Sequence, residues 1–85
     1  MFRAITGYAS RCQINDKTLP LLQSIVELRR AVSEVEQRRC GHWRALFEKG
    51  SLSEDEMDTA NIRVYEAMIA LEEAKLELER ERNEC

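Results

Sequence analysis

The chain has 85 residues, a formal net charge of −3, and 34% charged against 44% hydrophobic side chains. A single domain this short buries only about 60% of the surface its unfolded form exposes, so its own core is thin and a partner or very regular helix packing is needed. Three glycines and one proline, with a bias to Ala, Glu, Leu and Arg, exclude a disordered or β-rich chain and point to long helices.

Residues 1–18 are expected to form an N-terminal arm or short helix, in which Phe2, Ile5, Ala9 and Cys12 follow a 3-4-3 spacing while Thr6 and Gly7 weaken helix formation. The opening MFRAITGYAS carries an arginine but no apolar run of signal-peptide length. Nothing in the chain approaches the roughly 20 apolar residues of a membrane span.

From TLPLLQSIVELRR onward the spacing predicts a first helix over about 19–49. Thr18 is placed to cap it and Pro20 to sit in its first turn, where the missing N–H has no intrahelical partner. Leu21, Ile25, Leu28, Val32 and Val35 repeat at 4-3-4-3, and the register continues through Arg39, His42 and Leu46. This is the expected inter-helix seam. Arg39 in that seam is expected to reach outward or to pair with an acid such as Glu66 of the second helix, because an unpaired buried charge is costly.

The stretch KGSLSEDEMD, residues 49–58, reads as a bend. Gly50 suits the left-handed residue that ends a helix, and Ser53 with Glu56 forms a capping box. Leu52 and Met57 are placed as a hydrophobic staple, and Glu54, Asp55 and Asp58 put negative charge at the positive end of the next helix dipole.

The second helix is predicted over about 54–83. Its seam is Met57, Ala60, Val64, Ala67, Leu71, Ala74 and Leu78, with alanine every seventh residue admitting a close neighbour whose Leu and Val fill the holes between. A second stripe, Ile62, Tyr65, Ile69 and Leu76, lies beside it and exceeds what one hairpin partner can cover. The fold expected is therefore all-α. It is a coiled-coil-like antiparallel helical hairpin over residues 19–85, completed by another protein or by itself as a homodimer in a four-helix bundle.

Charge supports that pairing. Residues 19–49 carry six basic and four acidic side chains, whereas 54–84 carry four basic and eleven acidic ones. A single short basic region argues against nucleic acid as a partner.

Cys12, Cys40 and Cys85 are odd in number and lie outside any CxxC pair, which fits reduced thiols in a cytoplasmic protein and neither a disulfide framework nor a zinc site. His42 lacks a second ligand at metal spacing and a nucleophile to serve, so half-burial near the bend is its expected role. No catalytic, metal or cofactor residues and no small-molecule substrate are expected. The leading function is a small interaction module, an adaptor or chaperone, acting through Ile62, Tyr65, Ile69 and Leu76. The alternative is a tip formed by Leu46, Leu52, Ser53, Glu54 and Asp55 that docks into a larger machine.

Four resemblances bear on these readings. HWRALFEKGSLSEDEMDTANIRVYEAMIALEEAKLELE, residues 42–79, resembles the α-hairpin tip of periplasmic adaptor (membrane-fusion) proteins. That likeness implies docking through Leu46 and Ser53, with His42 where the family has an arginine and Arg44 out of register. EKGSLSEDEMD resembles the hairpin tip of Gre-type transcript-cleavage factors, which enter RNA polymerase; Ser51 replaces their aspartate and Glu54 alone of their acidic pair is kept by position. In size and class the chain is similar to small helical-hairpin chaperones of type III secretion systems. ELRRAVSEVEQRR resembles the first helix of all-helical chorismate mutases, which would make Arg29 and Arg39 ligands for substrate carboxylates.

Overall fold

The computed structural model describes the backbone of residues 2–83 and the side chains of residues 17–83. Two helices, α1 (Phe2–Glu48) and α2 (Glu54–Asn83), form an antiparallel hairpin measuring 69 × 18 × 12 Å. The all-α hairpin expected from periodicity is what the chain builds. Residues 2–18 are continuous with α1, and Thr18 and Pro20 consequently lie inside a 47-residue helix instead of at its start. Proline's fixed φ is compatible with helical geometry; its cost is the N–H it cannot give to the preceding turn.

The bend forms as its sequence requires. Gly50 takes φ of 77°, the Ser51 N–H donates to the Leu46 carbonyl at 2.9 Å, and the Gly50 N–H donates to the Phe47 carbonyl at 2.9 Å. These two bonds are a Schellman motif, which satisfies carbonyls that a helix end leaves without partners. Across the bend, the Glu56 N–H donates to Ser53 Oγ at 3.2 Å and the Ser53 N–H to Glu56 Oε1 at 3.0 Å, closing the capping box. Leu52 and Met57 meet in one apolar cluster with Cys40, Ala60, Val64 and Trp43, so the staple also anchors the end of the core.

The α2 seam is as expected: Met57, Ala60, Ala67, Leu71 and Leu78 are buried, and Val64 and Ala74 half-buried. The α1 seam is not. Leu21, Ile25, Leu28, Val32, Val35 and Leu46 are all exposed, Leu21 and Leu28 by two-thirds of their surface. The residues that face α2 are Val26, Ser33 and Cys40, spaced seven apart, with Leu19, Leu22 and Trp43 packed beside them. The physical reason lies in side-chain size. Helix separation depends on the side chains at the contact, and the alanine line of α2 is matched by Val, Ser and Cys. The line of Val, Ser and Cys meets Leu71 and Leu78 of α2 at one end and Met57 and Ala60 at the other, and the large aliphatic ridge of α1 is turned outward.

Arg39 leaves the interior with that ridge. It pairs with Glu36 on its own helix at 3.6 Å, and not with Glu66. His42 is exposed instead of half-buried. Ion pairs such as Arg30–Glu27 (3.9 Å), Lys75–Glu72 (3.3 Å) and Arg82–Glu79 (3.4 Å) likewise join residues three apart on one helix. At such exposure each contributes a few tenths of a kcal/mol, about 0.2–0.5. They decorate the hairpin and do not choose its register.

Candidate functional site: an uncovered apolar stripe on the second helix

The side chains expected to bind a partner lie together on the side of α2 turned away from α1. Ile62 is 54% exposed, Tyr65 61%, Ile69 57% and Leu76 54%, and Met68, also exposed, widens the stripe. Ile69, Leu76 and Met68 line a shallow groove whose rim is Glu72 and Glu73. That combination has an apolar floor and an acidic edge. It suits the apolar face of a helix flanked by lysine or arginine, the helix-in-groove mode of recognition.

The tip residues are placed differently. Leu52 is drawn into the cluster around Met57 and Cys40, and both polar groups of Ser53 serve the capping box. Leu46 is exposed by 43%, and its carbonyl receives the Ser51 N–H. Glu54 and Asp55 point into solvent in the first turn of α2, and the Asp55 carbonyl accepts from Thr59 Oγ1 at 3.0 Å. Glu56 is held below the ordinary glutamate range, first by the Ser53 N–H and then by the Ser53 hydroxyl. These side chains build the turn and charge the helix end.

Three features escaped periodicity. Ser33, exposed by only 3%, is the most buried polar residue described, and its Oγ accepts from Gln37 Nε2 at 3.1 Å. Cys40 is a buried thiol that donates to Asn61 Oδ1 at 3.3 Å, an oxygen also reached by Arg44 Nη2 at 3.4 Å. That shared acceptor ties the two helices next to the bend. The spacing of seven linking Val26, Ser33 and Cys40 was the signal present in the sequence. The third is the outward aliphatic ridge of α1.

No family model, curated protein or solved structure matches this chain. The surface itself is thus the basis for a functional reading. Among the described residues no group of His, Cys, Asp and Glu is arranged to hold a metal ion, and no helix is long and apolar enough to cross a membrane.

Proposed function

We propose that this protein is a non-enzymatic helical-hairpin interaction module, of the adaptor or chaperone kind, that binds a partner helix through Ile62, Tyr65, Ile69 and Leu76. The observation that carries the reading is the exposure of all four by more than half, on a helix whose other face is already buried against α1. Fully burying one large apolar side chain contributes about 1.5–3 kcal/mol, so covering four half-exposed ones supplies several kcal/mol before the cost of association. Tyr65 adds a polar tip on an apolar body, the amphipathic character enriched at protein interfaces. Three cysteines without pairing spacing support action in the reducing cytoplasm.

A photo-crosslinking residue at position 69, with the same residue at position 38 on the polar outer side of α1 as control, tests this in cells. Position 69 is expected to capture one discrete protein, or a second copy, that the control does not. Substituting Ile62 by Glu should abolish the adduct while leaving the helical circular dichroism intact. Equal capture from both positions, or an adduct indifferent to I62E, would sink the proposal.

A further inference from the structure

The charges of α2 are sorted by direction. At about 100° per residue of helix, Ile62, Tyr65, Ile69 and Leu76 lie within roughly 40° of one line, opposite the buried Ala60 and Ala67. The cations stand mostly on the flanks toward α1. Arg63 borders the cleft that holds Arg29, and Lys75 and Arg82 border the one that holds Arg30. Arg80 is the exception, placed by the same spacing on the outward side one turn past Leu76. The acids Asp58, Glu66, Glu72 and Glu73 lie beside the stripe, and all four are exposed.

The two edges of the stripe differ. Along one, Glu66 and Glu73 lie seven residues apart, and neither forms an ion pair among the described residues. Along the other stand Tyr65, Met68 and Glu72, and Glu72 is already paired, since Lys75 Nζ reaches its Oε1 at 3.3 Å. One edge is therefore anionic, whereas the other offers an aromatic ring, a thioether and a neutralised pair.

That asymmetry selects the occupant. Glu73 frames the groove of Met68, Ile69 and Leu76. An apolar side chain seated on that floor removes water from the Glu73 carboxylate, and a charge that loses water without gaining a counter-charge is costly. The occupant must therefore bring a cation to Glu73. In a helix-on-helix contact the edge positions recur every seven residues, so the same edge of the partner meets Glu66 one heptad away. The acids that attract such a helix repel a polyanion such as nucleic acid or an acidic lipid surface.

We infer that the occupant of the α2 stripe is an amphipathic helix with two Lys or Arg residues seven apart on one edge of its apolar face, paired with Glu66 and Glu73. Its opposite edge is apolar and lies against Tyr65 and Met68. The stretch from Ile62 to Leu76 is about 21 Å long, so this helix needs about four turns. The inference rests on the partner-helix reading above and adds the chemistry of the partner.

Fluorescence anisotropy of labelled designed helices, titrated with the reduced full-length protein, tests it. Two peptides of about five turns share one leucine face and one apolar edge. At two positions seven apart on the other edge, the first carries Lys and the second Glu. At low salt the Lys peptide should bind about tenfold more tightly, two attractive exposed pairs standing against two repulsive ones, and the gap should narrow as salt rises. Glu66→Lys combined with Glu73→Lys should invert the preference with its 222 nm ellipticity retained, and Ile69→Glu should weaken both peptides. Equal binding of the two peptides, lost in I69E, would overturn the cationic partner and leave the apolar stripe as the binding surface. Binding by neither peptide, or binding indifferent to I69E, would overturn both. A preference for Lys that survives the double reversal would overturn the pairing with Glu66 and Glu73. So would sedimentation of the protein alone as a dimer broken by I69E, which would give the stripe to a second copy.

Discussion

Replacing Ser33 by leucine sets the structure against the sequence pattern with opposite signs. Were the outward ridge the seam, Ser33 would lie on a solvated face. Leucine there would be neutral or would stabilise α1 by a few tenths of a kcal/mol, roughly 0.3–0.5, through its better helix propensity. In the structure Ser33 is 3% exposed, on the line of Val26 and Cys40 and between the two apolar clusters. Three added carbons must fit where a small residue meets the buried Ala67 stretch of α2, and overpacking of this kind costs about 1–3 kcal/mol. The bond from Gln37 is lost as well. For a domain of this size each kcal/mol shifts Tm by about 4–8 °C, so S33L is expected to melt well below the wild type. Val32→Leu, one residue away on the exposed ridge, should stay within about 0.5 kcal/mol. Ser33→Ala separates size from polarity and should cost far less than leucine. Thermal melts followed at 222 nm under reducing conditions at several dilutions provide the measurement. An S33L protein as stable as the wild type would refute the assigned register.

Two further perturbations probe the helix ends. Pro20→Ala should raise the 222 nm ellipticity, because interior proline is about 3 kcal/mol less favourable than alanine whereas a first-turn proline is not; unchanged ellipticity would return the start of the helix to residue 19. Ser53→Ala should cost about 1 kcal/mol of stability as a lost N-cap. It should also let the Glu56 carboxyl titrate closer to the ordinary glutamate value, because the hydroxyl bond goes while the backbone N–H bond stays. As the folded-state value is the lowered one, the stabilisation from Glu56 is present at neutral pH and fades as pH falls through that value. An NMR titration of Glu56 that is identical in the two proteins would contradict this cause.

Much of this architecture is legible in the residues, and the one misassigned surface shows what pattern alone cannot decide. The bend from Lys49 to Asp58 is local: each residue satisfies a neighbour within a few positions, so its bonds follow from the string. The α2 seam is legible because Ala60, Ala67 and Ala74 mark a line no other spacing explains. On α1 two lines compete, and hydrophobicity favours the wrong one. Leu21, Ile25, Leu28, Val32 and Val35 are the greasier set, but the line that packs on Leu71, Leu78 and Met57 of α2 is Val26, Ser33 and Cys40. Which line wins depends on the partner helix, a property of the pair that neither helix shows alone. The uncovered stripe at Ile62, Tyr65, Ile69 and Leu76 is legible for the complementary reason, as apolar surface in excess of what one neighbour can hide.

The single bend has a consequence for how the molecule comes apart. Contacts between the helices span a sequence separation that grows steadily with distance from Gly50: Cys40 meets Asn61, 21 residues on, while Val26 shares a cluster with Leu71 and Leu78 far along α2. The entropy of closing such loops rises only logarithmically with length. Once the turn is made, each further heptad can close like the next tooth of a zipper, with no second nucleation event. Disassembly should run in reverse, from the open end toward the bend. Amide protons around Cys40 and Ala60 would then be the last to exchange, and a tether pulling on the two termini would peel the helices apart tooth by tooth at low, nearly constant force.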